Sequence, residues 1–247
     1  MSLSSRQETI LALLNENSFL TVQALSDMTF ISPSSIRRDL AKLEALSLVK
    51  RSRGGASAFN TGSQFVPLNS RMSKNVAEKR KIARLASTLL RDGQSIMLDG
   101  SSTAGHMVPH IAKHRNMTVF TNNLNTAINA IHHGIPTHCT GGYSYERSAV
   151  LSGTQAFRAV SEIHPDVLFF SSHSLSDDGI ISEPISEENY IRQLMIDNAK
   201  LRVFLCDSEK FGHRALYQLT SVDAIDICVF DKPNPTLKTK SKILTPS

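Results

Sequence analysis

Hydrophobic positions in the first fifty residues recur at helical spacing; beyond residue 95 they condense into short apolar runs separated by polar turns. Ile10, Leu11, Leu13 and Leu14 mark a first helix that Ser4 or Ser5 can cap and that ends around 15–17. Thr21 caps a second, with Val22, Leu25 and Met28 on one face, and Phe30-Ile31 forms a brief connection. Ser32-Pro33 opens a third: the serine hydroxyl accepts from free first-turn amides, and proline is tolerated where an amide hydrogen would have no partner. Ile36, Leu40, Leu43 and Leu46 then make one buried stripe, and 48–56 reads as strand, Gly54-Gly55 turn and return strand.

On the opposite face of the third helix stand Ser34, Ser35, Arg37, Arg38 and Lys42. Two short helices joined by a brief turn, the second outwardly polar and basic, match what enters a major groove. Arg51 and Arg53 on the hairpin can reach phosphates or a minor groove beside it. A solvated helix face is the alternative reading of a single charge run. Asp39 would be repelled by phosphates, so it is expected to orient Arg38 or another neighbouring cation.

Residues 57–70 are polar and poorly periodic and mark the domain boundary. The expected organisation is a DNA-binding domain over 1–58, a linker over 59–75, a second domain over 76–231 and a basic tail over 232–247. A basic helix is predicted from 76 to 90, its cations either solvated at the junction or facing DNA. From Ser95 onward, strands at 95–99, 117–121, 136–140, 167–170, 202–206 and 225–230 alternate with helices, among them 106–113 and 186–199. That order implies a doubly wound parallel sheet, whose ligands sit outside the carboxyl ends of the strands. Polar residues gather there: Asp99-Gly100-Ser101-Ser102-Thr103, Thr121-Asn122-Asn123, Gly141-Gly142 and Asp207 to Lys210. A Gly-Ser-Ser-Thr turn before a helix offers amides and hydroxyls to a phosphate, and Lys210 a point charge.

Charge sharpens this division. The formal +5 comes from 27 Lys and Arg against 22 Asp and Glu. Segments 1–58 and 59–91 each carry 7 cations, against 5 and 1 acids, while 151–231 carries 6 against 13. One part suits a polyanion and the other a different task. Cys139, Cys206 and Cys228 are odd in number and read as small hydrophobes in a reducing compartment. No apolar run spans a bilayer and the polar start lacks a signal-peptide core, so a cytoplasmic protein without membrane partners is expected.

The string from Ile31 to Leu40 (I-S-P-S-S-I-R-R-D-L), with Lys42-Leu43-Glu44 and Val49 to Ala56 (V-K-R-S-R-G-G-A), closely resembles the N-terminal signature of the DeoR family of bacterial transcription regulators. Ser47 stands where glycine usually follows the helix, and Arg53 where histidine is usual. The polar turns of the second half match, in order, the family's sensor domain, so the resemblance spans about 5–231. It implies a winged helix-turn-helix followed by an α/β sensor domain similar to ribose-5-phosphate isomerase, with operator DNA and a phosphorylated sugar as partners.

Carried over residue by residue, Ser34, Ser35, Arg37, Arg38, Lys42, Arg51 and Arg53 would meet DNA. Asp99, Ser101, Ser102 and Thr103 would hold the phosphate end or a nearby hydroxyl, Thr121, Asn122 and Asn123 would read sugar hydroxyls, Gly141 and Gly142 would line the pocket, and Lys210 would pair with an anion. Glu188 and Arg192 lie on a helix motif of the family, with Gln193 replacing its second cation. Repeated operators imply a homodimer or homotetramer. No cofactor is expected. His106, His110 and His114 share a helical spacing, but Pro109 and the lack of a nearby carboxylate or cysteine argue against a metal. The competing function is a sugar-phosphate isomerase-like enzyme fused to a DNA-binding domain, with Asp99, Asp177, Asp178, Glu183 and Lys210 as its acids and bases. A regulator that consumed its inducer would erase its own signal, which favours sensing over catalysis.

Overall fold

The computed structural model describes residues 3–17, 19–46, 48–52, 54–58, 68–144 and 149–246. Two compact units result, Met1–Lys74 and Asn75–Ser247.

The first unit contains α1 (Ser5–Glu16), β1 (Leu20–Thr21), α2 (Val22–Thr29), α3 (Pro33–Ala45), β2 (Val49–Ser52) and β3 (Gly55–Ala58). Ser4 caps α1 and Gln7 bonds back to it, so two first-turn amide donors are satisfied reciprocally. Thr21 caps α2 and Ser32 caps α3, with Pro33 in its first turn. Ile10, Leu14, Leu25, Ile36, Leu40 and Leu43 close a core between the helices. Met28, expected on one face with Val22 and Leu25, is half exposed while those two are buried. The hairpin gains an unanticipated third strand: β1 pairs with β3, giving the order β1-β3-β2. Gly54 makes the turn with φ +86°, while Gly55 answers a different demand, since a Cβ there would strike the Leu20 carbonyl on β1. Much of the stretch expected as linker lies outside the described residues, but within it Leu68–Ser73 forms a helix, α4.

The second unit opens with α5 (Val76–Ala86), β4 (Ser95–Leu98), α6 (Ser102–Gly105), α7 (Val108–Ile111), β5 (Thr118–Thr121), α8 (Leu124–His132) and β6 (Thr137–Cys139). It continues with β7 (Tyr143–Ser144), β8 (Leu151–Ser152), α9 (Thr154–Ser161), β9 (Val167–Phe170), β10 (Ser174–Leu175), β11 (Ile180–Glu183) and α10 (Ser186–Asn198). The last elements are β12 (Leu201–Cys206), β13 (Tyr217–Ser221), β14 (Ile227–Phe230) and β15 (Lys242–Leu244). Seven strands form one parallel sheet in the order β15-β14-β12-β9-β4-β5-β6. The chain enters at β4, winds outward through β5 and β6, then returns to the other side of β4 as β9 and winds out the opposite way. The order therefore reverses between β4 and β9, where such sheets leave a ligand crevice at their carboxyl ends. Alternate side chains feed two cores: Ile96, Leu98, Phe169 and Val203 on one face, Met97, Leu168, Phe170 and Phe204 on the other. Burial on both faces is why these strands read as unbroken apolar runs.

Three expectations change. The helix expected from His106 to Lys113 shrinks to α7, which holds only His110, and the turn expected before it forms α6, so the histidines do not share one helical face; His114 instead lies 3.2 Å from Asp92. The region 232–247, expected only as a basic tail, supplies β15 on the sheet edge, anchored by Leu237 in the core and by Thr239 and Lys240 bonded to Asp223. Cys139 is exposed, unlike Cys206 and Cys228. A small antiparallel sheet, β10-β11-β13, escapes sequence reading because its serine-rich strands lack apolar alternation.

Candidate functional site

Two surfaces hold the predicted residues, one in each unit. On α3, burial of Ile36, Asp39, Leu40 and Leu43 turns Ser34, Arg37, Arg38 and Lys42 outward. Among the described residues none pairs with Arg37, Arg38 or Lys42, so three cations stand on one helix face without a counter-ion. Ser35 is half-buried and its hydroxyl accepts from that of Ser32, 3.0 Å away, which places it in the cap more than on the surface.

Asp39 does not serve Arg38. It is 1% exposed and takes Arg6 of α1, with N–O distances of 2.6 and 3.0 Å, while Gln7 lies 3.4 Å away. The acid inside the basic helix is thus neutralised from behind, and the outward face keeps its charge. Arg51 is exposed, but its backbone amide and side chain both turn to Glu44 of α3, which fastens the wing to that helix. Arg53 lies outside the described residues.

The second surface is the carboxyl edge of the parallel sheet. Asp99 follows β4 and is 1% exposed; one of its oxygens accepts from the amide and hydroxyl of Ser101, the other from the Ser171 amide and from Arg192 at 2.8 Å. Asp99 therefore organises the ends of β4 and β9 and is not free for a ligand. Ser101 is likewise committed, donating to Asp99 and capping α6. Thr121 accepts from the amide of Asn123, and Asn123 caps α8 while donating to the Gly100 carbonyl. Gly141 and Gly142 adopt φ of +70° and +105°, and a side chain at Gly142 would strike the Ser152 carbonyl. These residues shape the edge.

Ser102, Thr103, Asn122 and Lys210 remain able to receive something. Ser102 is half-buried with no hydrogen bond to its hydroxyl among the described residues. The hydroxyl of Thr103 and the side-chain oxygen of Asn122 are buried without a partner. The Ser152 hydroxyl, one residue beyond the Leu151 backbone that Asn122 bonds, is in the same condition. Lys210 donates to Ser171 at 2.8 Å and pairs with Asp207 at 3.2 Å, keeping 20% of its side chain exposed. Burial would raise the Asp207 carboxyl, but Lys210, the Asn75 amide and Lys79 together hold it below its ordinary value.

Ser171 was not singled out from sequence, and Glu183, Arg192 and Asp207, each named there, were not expected to meet at this edge as partners of Asp99 and Lys210. Arg192 is the hub, 4% exposed and facing Asp99, Glu183 at 2.9 Å and Glu188 at 3.7 Å. Burial alone would lower its pKa, yet the three carboxylates outweigh that and hold it above its ordinary value. The sequence signals were a lone arginine on an otherwise acidic helix and its place in the family motif; Glu188 is one turn away, but Asp99 and Glu183 lie farther off in the chain. Among the described residues no group of three or more histidine, cysteine or acidic side chains is arranged to hold a metal. No helix among them is long and apolar enough to cross a membrane.

The family model described as "DeoR C terminal sensor domain" matches residues 74–232, and that described as "DeoR-like helix-turn-helix domain" matches 6–61. The HTH-type transcriptional regulator GolR of Listeria innocua is 32% identical over 227 residues, covering 92% of this chain and 89% of that protein. The HTH-type transcriptional repressor GlcR of Bacillus subtilis is 31% identical over 230 residues, 91% of this chain and 87% of that protein. Among solved structures, a ribose 5-phosphate isomerase from Methanocaldococcus jannaschii aligns over 56% of this chain and 55% of that one, with 17% identity and a TM-score of 0.42, a likeness that says nothing of chemistry.

Proposed function

The chain belongs to the DeoR family of transcriptional regulators, and we propose that it represses a sugar-utilisation operon and is released from DNA by a phosphorylated sugar. In this reading residues 1–58 bind the operator and 76–231 bind the effector. The observation that carries the DNA half is the α3 face, where Arg37, Arg38 and Lys42 stand exposed while Asp39 is neutralised internally by Arg6. Such a face gains from displacing phosphate counter-ions, and its first turn reaches base edges.

The effector half rests on the reversal of strand order between β4 and β9 and on the unmet hydrogen-bonding needs of Thr103 and Asn122, which a polyhydroxylated ligand would satisfy. Ser102 and Lys210 would take the anionic end. Asp99 and Glu183, two of the four acids an isomerase reading would draw on, are both held by Arg192, which supports sensing over proton transfer. Effector and operator would favour different arrangements of a homodimer or homotetramer, so the ligand must bind one arrangement more tightly than the other. The protein would act in the cytoplasm, where its DNA lies.

A thermal-shift screen of pentose, hexose and hexitol phosphates tests the effector half. A ligand at a hundred times its Kd stabilises by about 2.7 kcal/mol, or roughly 5–11 °C for a unit of this size. Ser102→Ala abolishes that shift without weakening DNA binding; steady conversion of the sugar phosphate into product would instead establish the enzyme.

A further inference from the structure

Phe30 occupies the turn between α2 and α3 in a left-handed conformation, φ 56° and ψ 32°, with 95% of its surface exposed. Glycine and asparagine fill such positions readily; phenylalanine has its Cβ pressed toward the following carbonyl, and here its ring gains no burial in return. The other large apolar side chains exposed among the described residues of this unit, Phe19 at 44%, Met28 at 49% and Met72 at 45%, remain about half covered. The conformation is enforced from both sides: Thr29 donates to the Leu25 carbonyl and Ser26 to the Ile31 carbonyl, each at 2.6 Å. A strained and fully exposed aromatic side chain held in place by its neighbours calls for a role outside the fold.

Phe30 lies two residues before Ser32, the cap of α3, and therefore at the end of that helix which reaches base edges. The unpaired cations Arg37, Arg38 and Lys42 on the same helix draw this end toward a phosphate backbone. Resting on the DNA-binding reading above, we propose that Phe30 is a further specificity-determining residue whose ring packs on the C5-methyl group of a thymine in the major groove, the apolar target that groove offers.

The full-length protein and its Phe30→Asn and Phe30→Gly variants are compared on a duplex recovered by the parent from a random-sequence pool, and on copies in which uracil replaces each thymine in turn. Asparagine keeps the left-handed turn, so both variants melt no lower than the parent. Phe30→Asn loses about tenfold in affinity, the scale expected for an aromatic ring no longer buried. At one thymine or more, uracil weakens the parent and leaves Phe30→Asn unchanged. Binding by Phe30→Asn within twofold of the parent overturns the inference, as does a loss that is equal on thymine and uracil duplexes. A parent that recovers no duplex overturns the DNA-binding reading itself, an outcome visible before any variant is tested.

Discussion

Replacing Arg192 by methionine removes a cation that faces Asp99, Glu183 and Glu188, all with side chains no more than 5% exposed. Breaking a buried ion pair from one side costs about 3–5 kcal/mol, because the partner stays desolvated without compensation. Three buried carboxylates lose this cation at once, which places the variant at the upper end. A unit of this size moves roughly 2–4 °C per kcal/mol, so its melting temperature falls by about 10–20 °C. Calorimetry measures the fall, and hydrogen exchange assigns it to residues 75–247. Arg202→Met is the control: Arg202 pairs with Asp226 at 2.9 Å with both side chains about one-third exposed, and such a pair contributes about 0–1 kcal/mol. Adding Glu183→Gln and Glu188→Gln to Arg192→Met restores part of the loss, since the amides need no counter-charge. An Arg192→Met protein melting within 2 °C or so of the parent would refute the hub, and absence of recovery in the triple variant would move the loss from charge to packing.

Arg37→Ala raises the operator Kd by about 5- to 150-fold and relaxes preference at one base pair if Arg37 reads a guanine, or weakens all sequences alike with a shallower salt slope if it holds a phosphate; fluorescence anisotropy over a salt series separates the two. Asp166 is held down to about 2 by Lys200 and by the amide and hydroxyl of Ser95. Its folded value lies below the ordinary 3.8, so its contribution to stability is present above pH 3.8 and fades as pH falls toward 2. Urea unfolding of parent and Asp166→Asn should therefore differ most above that window and converge within it. Burial raises the Cys206 and Cys228 thiols, the latter to about 12, while Cys139 is exposed. A thiol reagent at neutral pH should label Cys139 rapidly and the other two only on unfolding.

Local chemistry made much of this protein legible. The caps Ser4, Thr21 and Ser32 start their helices as read from sequence, because capping depends on a hydroxyl and amides within three residues of it. The parallel strands were legible because burial on both faces forces unbroken apolar runs. The α3 cations were legible too, since helical periodicity alone separates Arg37, Arg38 and Lys42 from Ile36, Leu40 and Leu43.

Tertiary structure decided what those residues are free to do. Asp99, Ser101, Thr121 and Asn123 look from sequence like ligand contacts, yet hydrogen bonds already occupy them, short-range ones for Ser101 and Thr121 and distant ones for Asp99 with Arg192 and Asn123 with the Gly100 carbonyl, while the side-chain oxygens of Thr103 and Asn122 are buried without a partner. Asp39 meets Arg6, and Asp99 meets Arg192, across separations of 33 and 93 residues. No spacing rule reaches that far. Sequence patterns determine which elements form because those depend on neighbours within a few residues; pairing of buried charges depends on where the chain returns, which only the closed core establishes.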